Sequence, residues 1–172
     1  MISKLADIAI AEVGTREIGG NNCGTKIREY QKSTTLRPAA WPWCAAFVDW
    51  CIQKWISDPK NAAWLNLKIT SPEEWRPKTA AAFGLLEWAR NHPKTTTILG
   101  EKDIPKRGDI IVFDFSHTAI IVGNGVSVGK VETVEGNTNG RGDRDSESGD
   151  GVWRKFRAAK LTRNYIRIHP VS

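Results

Sequence analysis

No stretch of this chain approaches the ~20 consecutive apolar residues that a membrane-spanning helix needs. The opening segment Met1 to Glu12 is interrupted by Asp7 and Glu12, which breaks any signal-peptide core, yet it keeps helical apolar spacing. It is expected to be an ordinary first helix ended by Gly14, in a protein made as a soluble cytosolic product. Cysteine is scarce. Three cannot all pair, and Cys44 and Cys51 would lie about 10 Å apart along one helix at ~1.5 Å per residue, too far to bridge. A reduced protein is expected, with Cys51 in the core and Cys23 in a loop.

Metal-ligand patterns are also missing. With three histidines and three cysteines, there is no Cys-x-x-Cys and no histidine pair at ligand spacing. His92 and His169 each precede a proline and read as surface or capping residues. Asp143, Asp145 and Glu147 faintly trace a calcium loop, but Ser148 stands where that loop needs glycine and Arg154 where it needs glutamate. No metal and no cofactor is expected.

Acid is absent from Val152 to Ser172, whereas Arg154, Lys155, Arg157, Lys160, Arg163 and Arg167 lie there and equal the chain's net charge of +6. Such a segment suits anionic polymers, or is simply a solvated strand face. No nucleic-acid-binding motif accompanies it, so nucleic acid is not an expected partner. At 172 residues and 40% hydrophobic content, the chain suits one domain over residues 1–172 with an adequate core, and a monomer is expected.

Periodicity predicts helices near residues 2–13, 24–33, 44–57 and 79–91, then strands near 109–115, 117–123, 126–135, 152–157 and 164–168. Helices first and strands afterwards predict an α+β fold with an antiparallel sheet. The segment from Ser57 to Lys78, with three prolines, Trp64 and Trp75, is too long for a plain connection and suits a substrate wall or structural packing. Trp50, Trp55 and Trp88, at helical spacing, read as core.

What is present is a cysteine in a particular setting, Trp41-Pro42-Trp43-Cys44-Ala45-Ala46-Phe47-Val48. Pro42 blocks a helix from running upstream, while apolar residues at 44, 47, 48, 51, 52 and 55 trace one helical face. Cys44 is therefore expected in the first turn, where unpaired N–H groups and the helix dipole favour an anion such as a thiolate. Taken alone, a cysteine on such a face is usually a small core residue. Trp41 and Trp43 are candidates for the rim of a cleft, with Trp43 the one singled out for substrate contact.

His117 opens the strand Thr118 to Val122, so alternation places it on the face of Ala119 and Ile121. Small Ala119 would leave room there for a helix carrying the cysteine. Alternation also puts Val131, Thr133, Glu135 and Asn137 on one face of a third strand. A carboxylate beside His117 would fix its tautomer, and an amide could orient the ring or donate to an oxyanion.

Together these segments resemble the CHAP family, the cysteine, histidine-dependent amidohydrolases/peptidases of phage endolysins and bacterial wall-remodelling enzymes. The likeness takes in Glu12-Val13-Gly14-Thr15-Arg16-Glu17, Gly19-Gly20-Asn21-Asn22, Pro42 to Val48, Gly108-Asp109-Ile110, Glu135-Gly136-Asn137-Thr138-Asn139 and Gly149-Asp150-Gly151-Val152. It implies a papain-like fold, with Cys44 as nucleophile, His117 as base then acid, Glu135 holding His117, and Asn137 as an auxiliary polar group, meeting in an open groove. Some members bind calcium through acids ahead of the cysteine, but Asn21-Asn22-Cys23-Gly24 contains no Asp. The implied substrate is bacterial peptidoglycan, cut either between N-acetylmuramic acid and L-alanine or within the stem or cross-bridge. Anionic wall or outer-membrane polymers could engage the basic segment, and release through a holin, lysis or secretion would bring the enzyme to the wall. Two other readings stay open: the same triad acting on proteins as peptidase, deamidase or acyltransferase, and a non-catalytic wall-binding module.

Overall fold

The computed structural model describes residues 1–66, 72–141 and 149–171. Six helices come first: α1 (Ser3–Ala11), α2 (Thr25–Gln31), α3 (Cys44–Ile56), α4 (Pro59–Leu65), α5 (Pro72–Trp75) and α6 (Gly84–Asn91). Six strands follow: β1 (Thr96–Leu99), β2 (Ile110–Phe113), β3 (Thr118–Ile121), β4 (Lys130–Thr138), β5 (Gly151–Ala158) and β6 (Thr162–Ile168). They form one antiparallel sheet in the order β1-β6-β2-β3-β4-β5, so the fold is α+β, as its sequence pattern predicts. No described helix is long and apolar enough to cross a membrane.

Alternation along the strands divides the core in two. Ile110, Val112, Ile120, Val134 and Ile166 pack with the helices, whereas Ile111, Phe113, Ala119, Ile121, Val131 and Tyr165 form a second cluster without helical members. The helix predicted over 44–57 starts at Cys44, but it is not one-faced. From Cys44 to Ile56, only Gln53 and Lys54 escape burial, because α1, α2, α4, β3 and β4 all close on this helix. Asp49 is thereby buried, with neither carboxylate oxygen in a well-formed hydrogen bond among the described residues.

The stretch after Ser57 holds two short helices rather than a loop. Asp58 accepts from the Lys60 N–H at 2.9 Å and Pro59 takes the first helical position of α4, an N-terminal signal that is already present in the sequence. Trp64 and Trp75 pack against Trp55, and Trp75 meets Trp88 edge-on, so they serve the core. Residues 67–71 of this stretch, like Asp143, Asp145 and Glu147 of the weak calcium-loop pattern, lie outside the described residues.

The basic segment is not a free cationic strip. Arg154 bonds Glu132 at 2.6 Å, Arg157 bonds Glu135, and Arg167 bonds Asp109 at 2.7 Å. Arg163 lies over the Phe83 ring at 4.8 Å, and Lys155 donates to the Asn139 carbonyl at 2.8 Å. Five of the six basic groups thus already answer acids, a carbonyl or a ring within the fold.

Candidate active site

Cys44 is the first residue of α3, with Trp43 as its N-terminal flank and no acid in the first turn. The first-turn N–H groups therefore face a thiol with no side-chain carboxylate competing for them. All three cysteines are free thiols.

His117 sits one residue before β3, where its N–H donates to the Phe115 carbonyl in a tight turn and its carbonyl accepts from Phe113 N at 3.1 Å. Its ring lies near-parallel to Phe115, with centroids 5.8 Å apart and planes 6° apart, and to Phe113 at 5.6 Å and 17°. The two phenylalanines fix the plane of the imidazole and exclude water from it. Nε2 of His117 lies 2.8 Å from Glu135 Oε2. Nδ1 is buried without a well-formed hydrogen bond among the described residues, and it is the nitrogen left for the Cys44 thiol, which interacts with the ring. Burial works against the imidazolium, but Cys44 and Glu135 together outweigh it and push the His117 pKa up to about 9.

Glu135 is itself clamped. Arg157 Nε donates to Oε1 at 2.8 Å and Arg157 Nη2 to Oε2 at 2.6 Å, while the Thr133 hydroxyl donates to Oε1 at 2.6 Å. All three residues are buried, and the guanidinium also faces the Phe113 ring at 5.5 Å. Burial would raise the Glu135 carboxyl, but hydrogen bonds from Arg157 and His117 and their charges hold it down at about 2. The carboxylate is thus ionised and aimed at the histidine.

Contrary to expectation, the cysteine's helix does not pack beside Ala119: Ala119 faces the second cluster, and α3 lies against the other face of the sheet. It is the N-terminal end of α3 that reaches the site, through Gly136. A Cβ at Gly136 would lie 2.6 Å from Phe47 Cβ and 2.7 Å from the Trp43 ring, distances that no side chain tolerates. Only glycine lets β4 come this close to the turn that carries Cys44.

Three expectations need correction. Trp43 is fully buried, its ring stacked on Tyr30 at 5.5 Å and its N–H donating to Glu17 at 2.8 Å, so it supports the site from inside instead of lining a cleft. Asn137 does not follow strand alternation from Glu135. The ladder shifts between Glu135 and Thr138, and Asn137 has φ +55°, the bulge that one extra residue makes. Its side-chain nitrogen is buried with no partner among the described residues. Nor is the groove open: Cys44 keeps 5% exposure and His117 none.

Sequence reasoning missed Arg157, Phe113 and Phe115. Thr133 was already on the face of Glu135 by parity, but Arg157 gave no signal beyond its charge. The structure does bring Cys44, His117 and Glu135 together.

No curated protein and no solved structure matches the chain. A family model does match: that of the CHAP domain, over residues 36–137. The matched span begins ahead of Cys44, closes on Asn137 and covers more than half of the 172 residues. The chain therefore belongs to the CHAP family, whose domains are generally hydrolases of the amidase or peptidase type.

Proposed function

We propose that this chain, acting as one catalytic unit, hydrolyses an amide bond of bacterial peptidoglycan through Cys44, His117 and Glu135. The observation that carries the reading is the doubly engaged imidazole, with Nε2 on a clamped carboxylate and the ring's other side on a thiol at a helix start. The Cys44 thiolate attacks the carbonyl carbon and forms a C–S bond. His117 then protonates the leaving amine as the C–N bond breaks. A water, giving its proton to His117, attacks the thioester, releases the carboxylate and frees the sulfur. Backbone N–H groups of the first turn of α3 hold the oxyanion, with the Asn137 side-chain nitrogen, which has no partner among the described residues, as the auxiliary donor. Glu135 keeps His117 in one tautomer throughout. The enzyme would act on the wall after release from the cell that makes it, as the endolysin-like members do.

Purified cell walls are the substrate to use, with wild type compared to Cys44→Ala and His117→Ala. Both variants should lose lysis, and mass spectrometry of the wild-type fragments should show new amine termini that name the bond. Undiminished lysis by either variant overturns the mechanism.

A further inference from the structure

The turn joining β3 to β4 carries a second feature, away from Cys44. A cleft of about 180 Å³ lies among Asn124, Ser127, Lys130, Glu132 and Phe156, floored by glycines of the turn. Phe156 belongs to the edge strand β5 and is 63% exposed, although Phe113 in the same sheet is fully buried. Across the ladder it pairs with Glu132, whose Oε1 accepts from Arg154 at 2.6 Å, so the carboxylate is held beside the ring. Gly123 makes room for that carboxylate, since a Cβ there would sit 3.0 Å from Glu132 Oε2. The Asn124 side-chain oxygen accepts from Arg107 N at 3.1 Å, which leaves its amide nitrogen as a donor. Ser127 and Lys130 exchange backbone hydrogen bonds of 2.9 Å in both directions, fixing the turn. The cleft is preformed.

An exposed aromatic face beside a carboxylate, an amide, a hydroxyl and an ammonium asks for a ligand with one apolar face and many polar substituents. A pyranose ring has that form: its C–H face stacks on Phe156 while hydroxyl and amide groups reach Glu132, Asn124 and Ser127. Lys130 would take an acidic substituent. A phosphate chain fits poorly beside Glu132, and a flat protein partner would not need convergent polar groups. The geometry points to a saccharide subsite in which Phe156 stacks on an amino-sugar ring of a wall glycan. Such a contact tethers the enzyme to the polymer and raises the local concentration of scissile bonds. The choice of sugar rests on the wall-directed reading of Cys44; the cleft itself does not.

The test uses full-length Cys44→Ala protein, with and without Phe156→Ala, titrated with soluble N-acetylglucosamine oligosaccharide and with purified walls. Backbone amide shifts over 123–132 and β5 should move with the oligosaccharide. Phe156→Ala should weaken wall binding about tenfold, the equivalent of about 1.4 kcal/mol. In a Cys44-intact background it should leave the rate of Cys44 alkylation unchanged, because Phe156 is exposed and lies outside the catalytic group. A still spectrum, or equal affinity with and without Phe156, overturns the subsite, including the case in which this patch binds a protein instead. Wall hydrolysis by the Cys44-intact chain is scored separately. Shifts without hydrolysis remove the proposed mechanism and keep the subsite, and hydrolysis without shifts does the reverse.

Discussion

Arg157→Met tests how much the site depends on its buried clamp. Methionine preserves most of the arginine stem and volume but removes both donors to Glu135, leaving the carboxylate to Thr133 and His117 in a place with no solvent exposure. A carboxyl shifted from its ordinary 4.5 to about 2 represents about 3 kcal/mol of folding stability, a share of which comes from His117. Breaking a buried ion pair by removing one partner costs ~3–5 kcal/mol, which agrees in size. For a chain of this length a loss of about 3 kcal/mol is a drop of roughly 6–12 °C in Tm. The pH dependence follows from the direction of the shift. Because the folded carboxyl is depressed, its stabilisation is complete above about 4.5 and is lost as pH falls toward about 2. Thermal unfolding of wild type and Arg157→Met between pH 7 and pH 3 should show a wide gap that narrows with acid. Arg157→Lys, which keeps the charge but not the fork, should fall between them. A gap below about 1 kcal/mol at pH 7, or one that does not narrow toward pH 3, would refute the clamp.

Two further outcomes follow from the same geometry. His117 is raised from 6.5 to about 9, so the stability its imidazolium contributes is complete below 6.5 and lost as pH climbs through 9. Turnover that needs the imidazolium as acid should fall about tenfold per pH unit above that point, and Glu135→Gln should move the alkaline limb to lower pH; a limb that stays in place removes Glu135 from its role. Gly136→Ala puts a methyl group 2.6 Å from Phe47 Cβ and should cost ~1–3 kcal/mol by overpacking. Since that strain falls on the turn bearing Cys44, iodoacetamide should alkylate Cys44 more slowly than in wild type, and an unchanged rate under native conditions argues against Gly136 as the spacer.

Much of this was readable in one dimension because the signals are local. Pro42 ahead of an apolar period fixes where α3 begins, and Cys44 does begin it. Glycines and short apolar runs mark β2 and β3, and parity puts Thr133 with Glu135. The helices α4 and α5 were missed, although Asp58-Pro59 carries an N-terminal signal, because a stretch rich in proline and tryptophan lacks the apolar period of a longer helix, and β1 because Thr96-Thr97-Ile98-Leu99 shows no alternation. The corrections at Trp43 and Ala119 have another cause. Nothing in a sequence says which side of a sheet a helix covers, and that choice turns Trp43 inward and Ala119 away from α3.

Arg157 and Asn137 show where reading by period fails in principle. An arginine on a strand has the same local pattern whether it faces water or a carboxylate. What decides is the pairing of β5 with β4, which sets Arg157 opposite Val131, on the same face as Glu135 four pairs along the ladder, where its long side chain reaches the carboxylate. Asn137 depends on the same pairing from the other direction. The extra residue between Glu135 and Thr138 carries Gly136 against Phe47 and Trp43 and leaves the Asn137 side-chain nitrogen without a partner among the described residues. That bulge is where strict alternation breaks, and it is also what allows a helix on one face of the sheet to present its first residue to a histidine grouped with the other face. The departure from strand regularity is therefore the feature that joins the two halves of the site, and it marks the place where a substitution should separate Cys44 from His117 without unfolding either element.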